Sequence, residues 1–165
     1  IEVNGGDLQV ERITGDVAAT LRGGDLRAAE VRGAVQVEAQ GSDVRVERSA
    51  SDGGLVRVTA VGGSVTLRDL RTEARLDVRN ADVEVAAAGP APVTIRSEGG
   101  GSIDVVPSGG YQLDELTAGG DLTLPDGTVE PVVSGQERRA TGTIDGGGPS
   151  LFFRSTHGNI TIRRP

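Results

Sequence analysis

The sequence predicts an all-β fold: a β-solenoid, β-helix-like or β-roll-like, of stacked short strands forming two facing sheets. Three observations carry that prediction. First, Gly6-Asp7-Leu8, Gly15-Asp16-Val17 and Gly24-Asp25-Leu26 repeat one triplet at a spacing of nine residues. Second, a further aliphatic residue usually follows each triplet's aliphatic by two positions, the period of a strand. Third, aromatics are 2% of the 165 residues while hydrophobics are 36%. Cores are ordinarily dominated by large aromatic side chains. Here Val, Leu, Ile and Ala must do the filling, which suits a thin interior between two sheets.

Taken in order, the beat runs Leu8, Val17, Leu26, Val35 and Val44, always nine apart. Val56 follows after twelve, with residues 49–54 absorbing the excess as a loop. The beat returns at Val65, Ala74 and Val83, passes by tens through Val93, Ile103 and Leu113, and reaches Leu122 after nine. Repeats this short and persistent indicate a solenoid. Within units, pairs such as Val35/Val37, Val44/Val46, Val65/Leu67 and Val83/Val85 flank polar residues such as Gln36, Arg45, Thr66 and Glu84. Each unit is therefore a strand with an apolar inner and a polar outer face. Val35, Val37, Val44, Val46, Val65, Leu67, Leu76, Val83 and Val85 share the phase and are expected to point inward.

One such strand cannot bury its apolar side alone; strands stacked about 4.8 Å apart in a coil can. Two strands per coil, about 18 residues, is the preferred reading. Three strands per coil is the competitor, and a right-handed winding is expected. Glycine supplies the corner conformation, and aspartate is expected to bond its own local backbone. With two strands per coil, Asp7, Asp25 and Asp43 stack along one edge. Asp16 lies on the other, where Ala34 interrupts the column.

The whole chain, 1–165, reads as one domain: regular repeats over 1–124, an irregular excursion over 125–148, and terminal strands over 149–165. In the excursion, Pro125-Asp126-Gly127 is a turn and Gly146-Gly147-Gly148-Pro149 a second break. Gln136-Glu137-Arg138-Arg139 reads as a loop or solvated edge. The strand pattern returns as Leu151/Phe153 and Ile160/Ile162. Phe153 is expected to plug the last coil, with Phe152, on the opposite face, covered by the excursion.

Composition narrows the function. Arg supplies all 17 positive charges against 24 acidic residues, for a net charge of -7. That balance disfavours nucleic acid, which needs clustered cations. Without cysteine there is no disulfide, thiolate nucleophile or Cys-ligated zinc. No apolar run is long enough to span a membrane, and no signal peptide is present. The opening in mid-pattern at Ile1-Glu2-Val3 leads us to expect a further segment upstream.

The repeated Gly-Asp-[Val/Leu]-x-[Val/Leu] units, "LDELTAGGDLTL" (113–124) and "GTIDGGGPSLFFRSTHGNITIRR" (142–164) together resemble the bacterial adhesin-like β-solenoid family, the toastrack or DUF4097-type domain. The resemblance covers nearly the whole chain. It implies a β-solenoid often attached to membrane-spanning or signalling segments, in a family linked to adhesion and envelope-stress responses. It implies no catalytic residues.

Several residue groups admit a sharper chemistry. Stacked Asp7, Asp25 and Asp43 are calcium candidates, but calcium nonapeptides place Asp two residues before the aliphatic. Here Asp immediately precedes it, which favours a turn role. His157, the only histidine, could sketch a hydrolase triad with Ser155, but Thr156-His157-Gly158-Asn159 occupies a corner without a nucleophile elbow. Paired acids on a face would suit glycoside hydrolysis, but the corners are too short to wall a cleft. Outward Arg45, Glu47, Arg57 and Arg68 are expected to form weak cross-strand ion pairs. Asn159-Ile160-Thr161 matches a glycosylation triplet that is common by chance.

The expectation is a non-enzymatic binding or scaffolding domain of a bacterial envelope-associated protein. It would be extracytoplasmic, attached through an upstream segment, and would need no cofactor. Its partner would be a protein or a surface glycan, with no nucleic acid and no membrane insertion by this segment. Monomer or weak self-association is expected. A self-assembling structural solenoid is the alternative; a carbohydrate-active enzyme ranks below both.

Overall fold

The computed structural model describes residues 1–49, 54–87, 89, 91–128 and 131–164. Most of the loop expected over 49–54 therefore lies outside the described residues. The first twelve strands alternate between two sheets: β1 (Glu2–Asn4), β2 (Leu8–Glu11), β3 (Val17–Arg22), β4 (Leu26–Ala29), β5 (Val35–Gln40), β6 (Val44–Glu47), β7 (Leu55–Val61), β8 (Ser64–Leu70), β9 (Glu73–Arg79), β10 (Asp82–Ala87), β11 (Val93–Glu98) and β12 (Ile103–Val106). Six more follow: β13 (Tyr111–Ala118), β14 (Leu122–Thr123), β15 (Val132–Ser134), β16 (Glu137–Ile144), β17 (Ser150–Ser155) and β18 (Ile160–Ile162).

Odd-numbered strands up to β11 form one run of parallel neighbours and even-numbered strands up to β12 the other. Val17 pairs with Val35, and Leu8 with Leu26. That 18-residue register means two strands per coil, so the three-strand alternative falls. The architecture is the two-sheet β-solenoid expected from the beat.

Alternation is visible directly in burial: β5 reads buried-exposed without a break from Val35 to Gln40. All nine residues expected to point inward are buried, none more than 2% exposed. Burying one such side chain contributes about 1.5–3 kcal/mol, so the column of valines and leucines is the main driving force for stacking.

The corners explain the triplet. A Cβ at Gly24 would strike the Gly6 carbonyl, and one at Gly63 the Ser42 carbonyl. Successive corners stack too closely for a side chain there. Both glycines also take positive φ, 85° and 83°, where other residues are strained. The opposite corner is equally crowded, since a Cβ at Gly33 would strike the Gly15 carbonyl. It also carries a left-handed column of non-glycine residues, Arg12, Glu30, Arg48 and Asp69, with φ of 52°, 55°, 52° and 53°.

Four expectations fail, in whole or in part, near the C-terminus. The coil of β13 and β14 does not stack directly on that of β11 and β12. Instead β17 pairs with both β11 and β13, and β18 with both β12 and β14. Phe153 therefore does not plug a last coil; it is fully buried between Ile95 and Leu116. Nor does the excursion cover Phe152. It forms β16, antiparallel to β13, and β15, antiparallel to β16, on the far side of β13. What lies over the Phe152 ring is the Arg96 guanidinium, 5.7 Å from its centroid. Of the charged strip at 136–139, Gln136 stays in a turn, while Glu137, Arg138 and Arg139 enter a paired strand, β16, with Arg138 reaching the Gly120 carbonyl at 2.7 Å.

Candidate functional site

Asp7, Asp25 and Asp43 are brought into one column, as the 18-residue coil requires. Their carboxylates do not bond their own turns. The Asp25 N–H donates to Asp7 Oδ1 at 3.1 Å, and the Asp43 N–H to Asp25 Oδ1 at 3.4 Å. Asp43 Oδ1 accepts both the N–H and the hydroxyl of Ser64, each at 2.9 Å. Each side chain thus ties its coil to the next. The pattern continues beyond the residues picked out by sequence. Asp82 Oδ1 accepts from the Ser102 N–H at 2.8 Å, and Asn159 Oδ1 from the Asp121 N–H at 2.8 Å. Ser64 and Ser102 escape a search for Gly-Asp because they are not aspartates, whereas Gly158-Asn159 is legible as a Gly-Asp equivalent that keeps the turn chemistry. The shared signal is a small polar residue before the inward aliphatic. On the other edge Asp16 Oδ1 takes the Ala34 N–H at 2.8 Å.

A depression of about 500 Å³ runs along this column and the adjoining Gln9, Arg27, Arg45 and Thr66. Carboxylate oxygens there already accept backbone N–H groups, a role that a neutral serine or asparagine shares. Among the described residues no group of three or more Asp, Glu or His side chains could hold a metal ion.

Ser155 and His157 do not meet as nucleophile and base. The Ser155 hydroxyl is buried and accepts the Gly158 N–H at 2.9 Å. His157 Nδ1 lies 3.2 Å from Thr156 Oγ1 instead. The pair closes a corner.

The outer sheet faces carry most of the exposed charge, and they differ. On the eight-stranded sheet every strand arginine has an acid. Arg27 and Arg45 are register partners that share Glu47, at 3.3 and 3.6 Å, and Arg68 pairs with Glu84 at 3.0 Å. On the ten-stranded sheet, Arg75 meets Glu73 at 2.7 Å and Arg79 meets Glu98 at 2.8 Å. Arg57, Arg96 and Arg154 have no carboxylate within 4.0 Å among the described residues. The expected cross-strand pairs therefore form at Glu47, with Arg27, and at Arg68, with Glu84; Arg45 meets Glu47 along its own strand, and Arg57 meets no carboxylate among the described residues. Sequence showed that these side chains face outward; it did not show which would be left over.

Residues 1–163 match the family model described as Toastrack DUF4097. No curated protein and no solved structure matches the chain.

Proposed function

The chain belongs to the toastrack (DUF4097) family, and from that premise we propose that it is a non-enzymatic binding or scaffolding domain of a bacterial envelope-associated protein, working on the extracytoplasmic side. The observation that supports this is the division of labour among its polar groups. Corner side chains are consumed in tying coils together, as Asp43 is by Ser64. The sheet faces present rows of charged side chains to solvent on a rigid frame. A protein or a surface glycan is the partner such a face suits. No helix among the described residues is long and apolar enough to cross a membrane.

The test is binding of the labelled domain to a bacterial envelope fraction. Saturable binding, displaced by unlabelled domain, is the expected result. Binding that never saturates would overturn the reading.

A second reading, self-assembly, is favoured by one observation. Among the described residues strand β15 pairs only with β16, and its Val132 and Val133 are 66% and 67% exposed. An open, apolar edge can add a strand from another chain. A light-scattering series showing mass growing with concentration, and halted by Val133→Lys, would favour assembly.

A further inference from the structure

We propose that the outer face of the ten-stranded sheet around Arg96, Arg154 and Phe152 is a docking surface for an acidic polysaccharide whose charge is carried by ring carboxylates, an inference that rests on the binding-module reading above. Arg96 and Arg154 are register partners on neighbouring strands. Like charges placed directly opposite each other destabilise a sheet. The protein shows how such a pair is eased elsewhere: Arg27 and Arg45 are also register partners, and the Glu47 carboxylate lies between them as a shared partner. Among the described residues Arg96 and Arg154 have no such carboxylate. Asp77 is the register neighbour of Arg96 on its other side, yet Arg96 turns over the Phe152 ring instead. A ligand carboxylate between the two guanidinium groups would complete the arrangement that Glu47 completes on the opposite sheet. Guanidinium forks match a carboxylate's two oxygens, and all 17 Lys-or-Arg positions in this chain are arginine.

The charge continues along the solenoid. Arg57 and Arg75 are register partners two and one strands before β11, and Glu73 holds only Arg75. Arginines therefore occur on four successive strands about 4.8 Å apart, in two rows offset by two residues, with Arg75 in register with Thr94 and Arg96 with Asp77, so a linear polyanion would meet them along an oblique path. Phe152 is half-buried on this same face, where the exposed part of its ring offers an apolar surface to the C–H face of a sugar. The sheet architecture favours a glycan over an acidic peptide. Strands β11 and β17 are hydrogen-bonded on both edges, so a peptide cannot dock here by strand addition. Two acids flank the patch, Asp77 in register with Arg96 and Glu115 in register with Phe152; the rest of the net charge of -7 weighs little there, because acids beyond about 8 Å are screened at physiological salt.

Titration calorimetry with oligogalacturonate tests the surface, with its methyl ester, poly-glutamate and a single-stranded oligonucleotide as comparisons. Oligogalacturonate should bind, and the Arg96→Gln/Arg154→Gln variant should bind at least about tenfold more weakly. Arg27→Gln on the other sheet should change nothing, and the uncharged methyl ester should bind little. Because the two arginines repel, the double variant should melt no lower than the parent. Equal binding by the double variant or the ester, tighter binding of poly-glutamate or oligonucleotide, no binding at all, or a lowered melting temperature would each overturn the proposal. Saturable envelope binding without oligogalacturonate binding would sink the glycan surface alone. Oligogalacturonate binding without envelope binding would sink the envelope reading alone.

Discussion

Ile95 pairs with Phe153, not with the residue one coil further along the chain. Leu113, which continues the sequence beat, lies one strand beyond, paired with Leu151. The last two strands are thus wedged into the middle of both sheets and hold the coil of β13 and β14 in place. Phe153→Ala should cost about 3–5 kcal/mol, because the side chain is fully buried and the void is walled by paired strands. A urea midpoint within error of the parent would show that the wedge carries no such weight.

That relationship also marks the limit of what the residues disclose. From β1 to β12 each strand announces itself: Val35/Val37 and Val44/Val46 carry the inward phase, and short corners leave each coil no choice but to stack on its predecessor. After Ile103 the beat still marks strands, at Leu113, Leu151 and Ile160, but contains nothing about stacking order. Longer connections allow β17 to enter ahead of β13. Strand β16 was hidden because "ERRATGTI" buries only Ala140 and Ile144. At the candidate surface, outward parity placed Arg57, and the same alternation would place Arg96 and Arg154. Which arginines lack acids depends on side-chain positions across strands, and a repeat pattern does not record these.

The aspartate column gives a second prediction. Asp43→Ala removes the acceptor shared by the Ser64 N–H and hydroxyl and should cost about 0.5–1.5 kcal/mol. Asp43→Asn keeps a carbonyl oxygen in place and should recover most of that. Because the carboxylates hold N–H groups, melting should be the same in chelator and in millimolar calcium. A strand spectrum appearing only with calcium would overturn the turn role of Asp7, Asp25 and Asp43.

Tyr111 predicts a loss of stability in alkali. Its buried hydroxyl donates to the Gly89 carbonyl at 2.9 Å. Burial pushes the phenol above its ordinary value of 10.0, with the Ala91 N–H pulling partly back. A raised folded-state value favours the protonated form, so this contribution is fully present below pH about 10 and is lost as pH rises through the folded value. The chain has one tyrosine and no lysine, so the phenolate absorbance reads this group alone. Tyr111→Phe should lower stability at neutral pH by about 1–3 kcal/mol and abolish the tyrosine-linked alkaline decline. An unchanged decline in the variant would assign it elsewhere.

Val46 tests the register of the regular coils. It is fully buried, between Ala28 and Leu67 in the sheet. Val46→Asp should cost several kcal/mol, because an unpaired charge would be left in the interior. Val46→Ile is the milder control. A melting temperature unmoved by aspartate would mean that position 46 does not face the core.

Hydrogen exchange should grade along the solenoid axis. Among the described residues strand β1 pairs only with β3, and β2 only with β4. Val3, Leu8 and Val10 are only partly buried against the core. In the middle, β8 is held by β6 and β10, and Val65, Leu67, Val83 and Val85 are at most 2% exposed. Opening an edge coil exposes one layer of core, whereas opening a middle coil must break hydrogen bonds and packing on both sides. Local opening costs least where apolar contacts are fewest. Amides from Ile1 to Val10 should therefore exchange faster than those from Val65 to Val85. Their protection should approach the middle's only when something pairs with the free edges of β1 and β2. Equal exchange in the isolated chain would show that the whole solenoid opens as one cooperative unit, and the graded picture would fail.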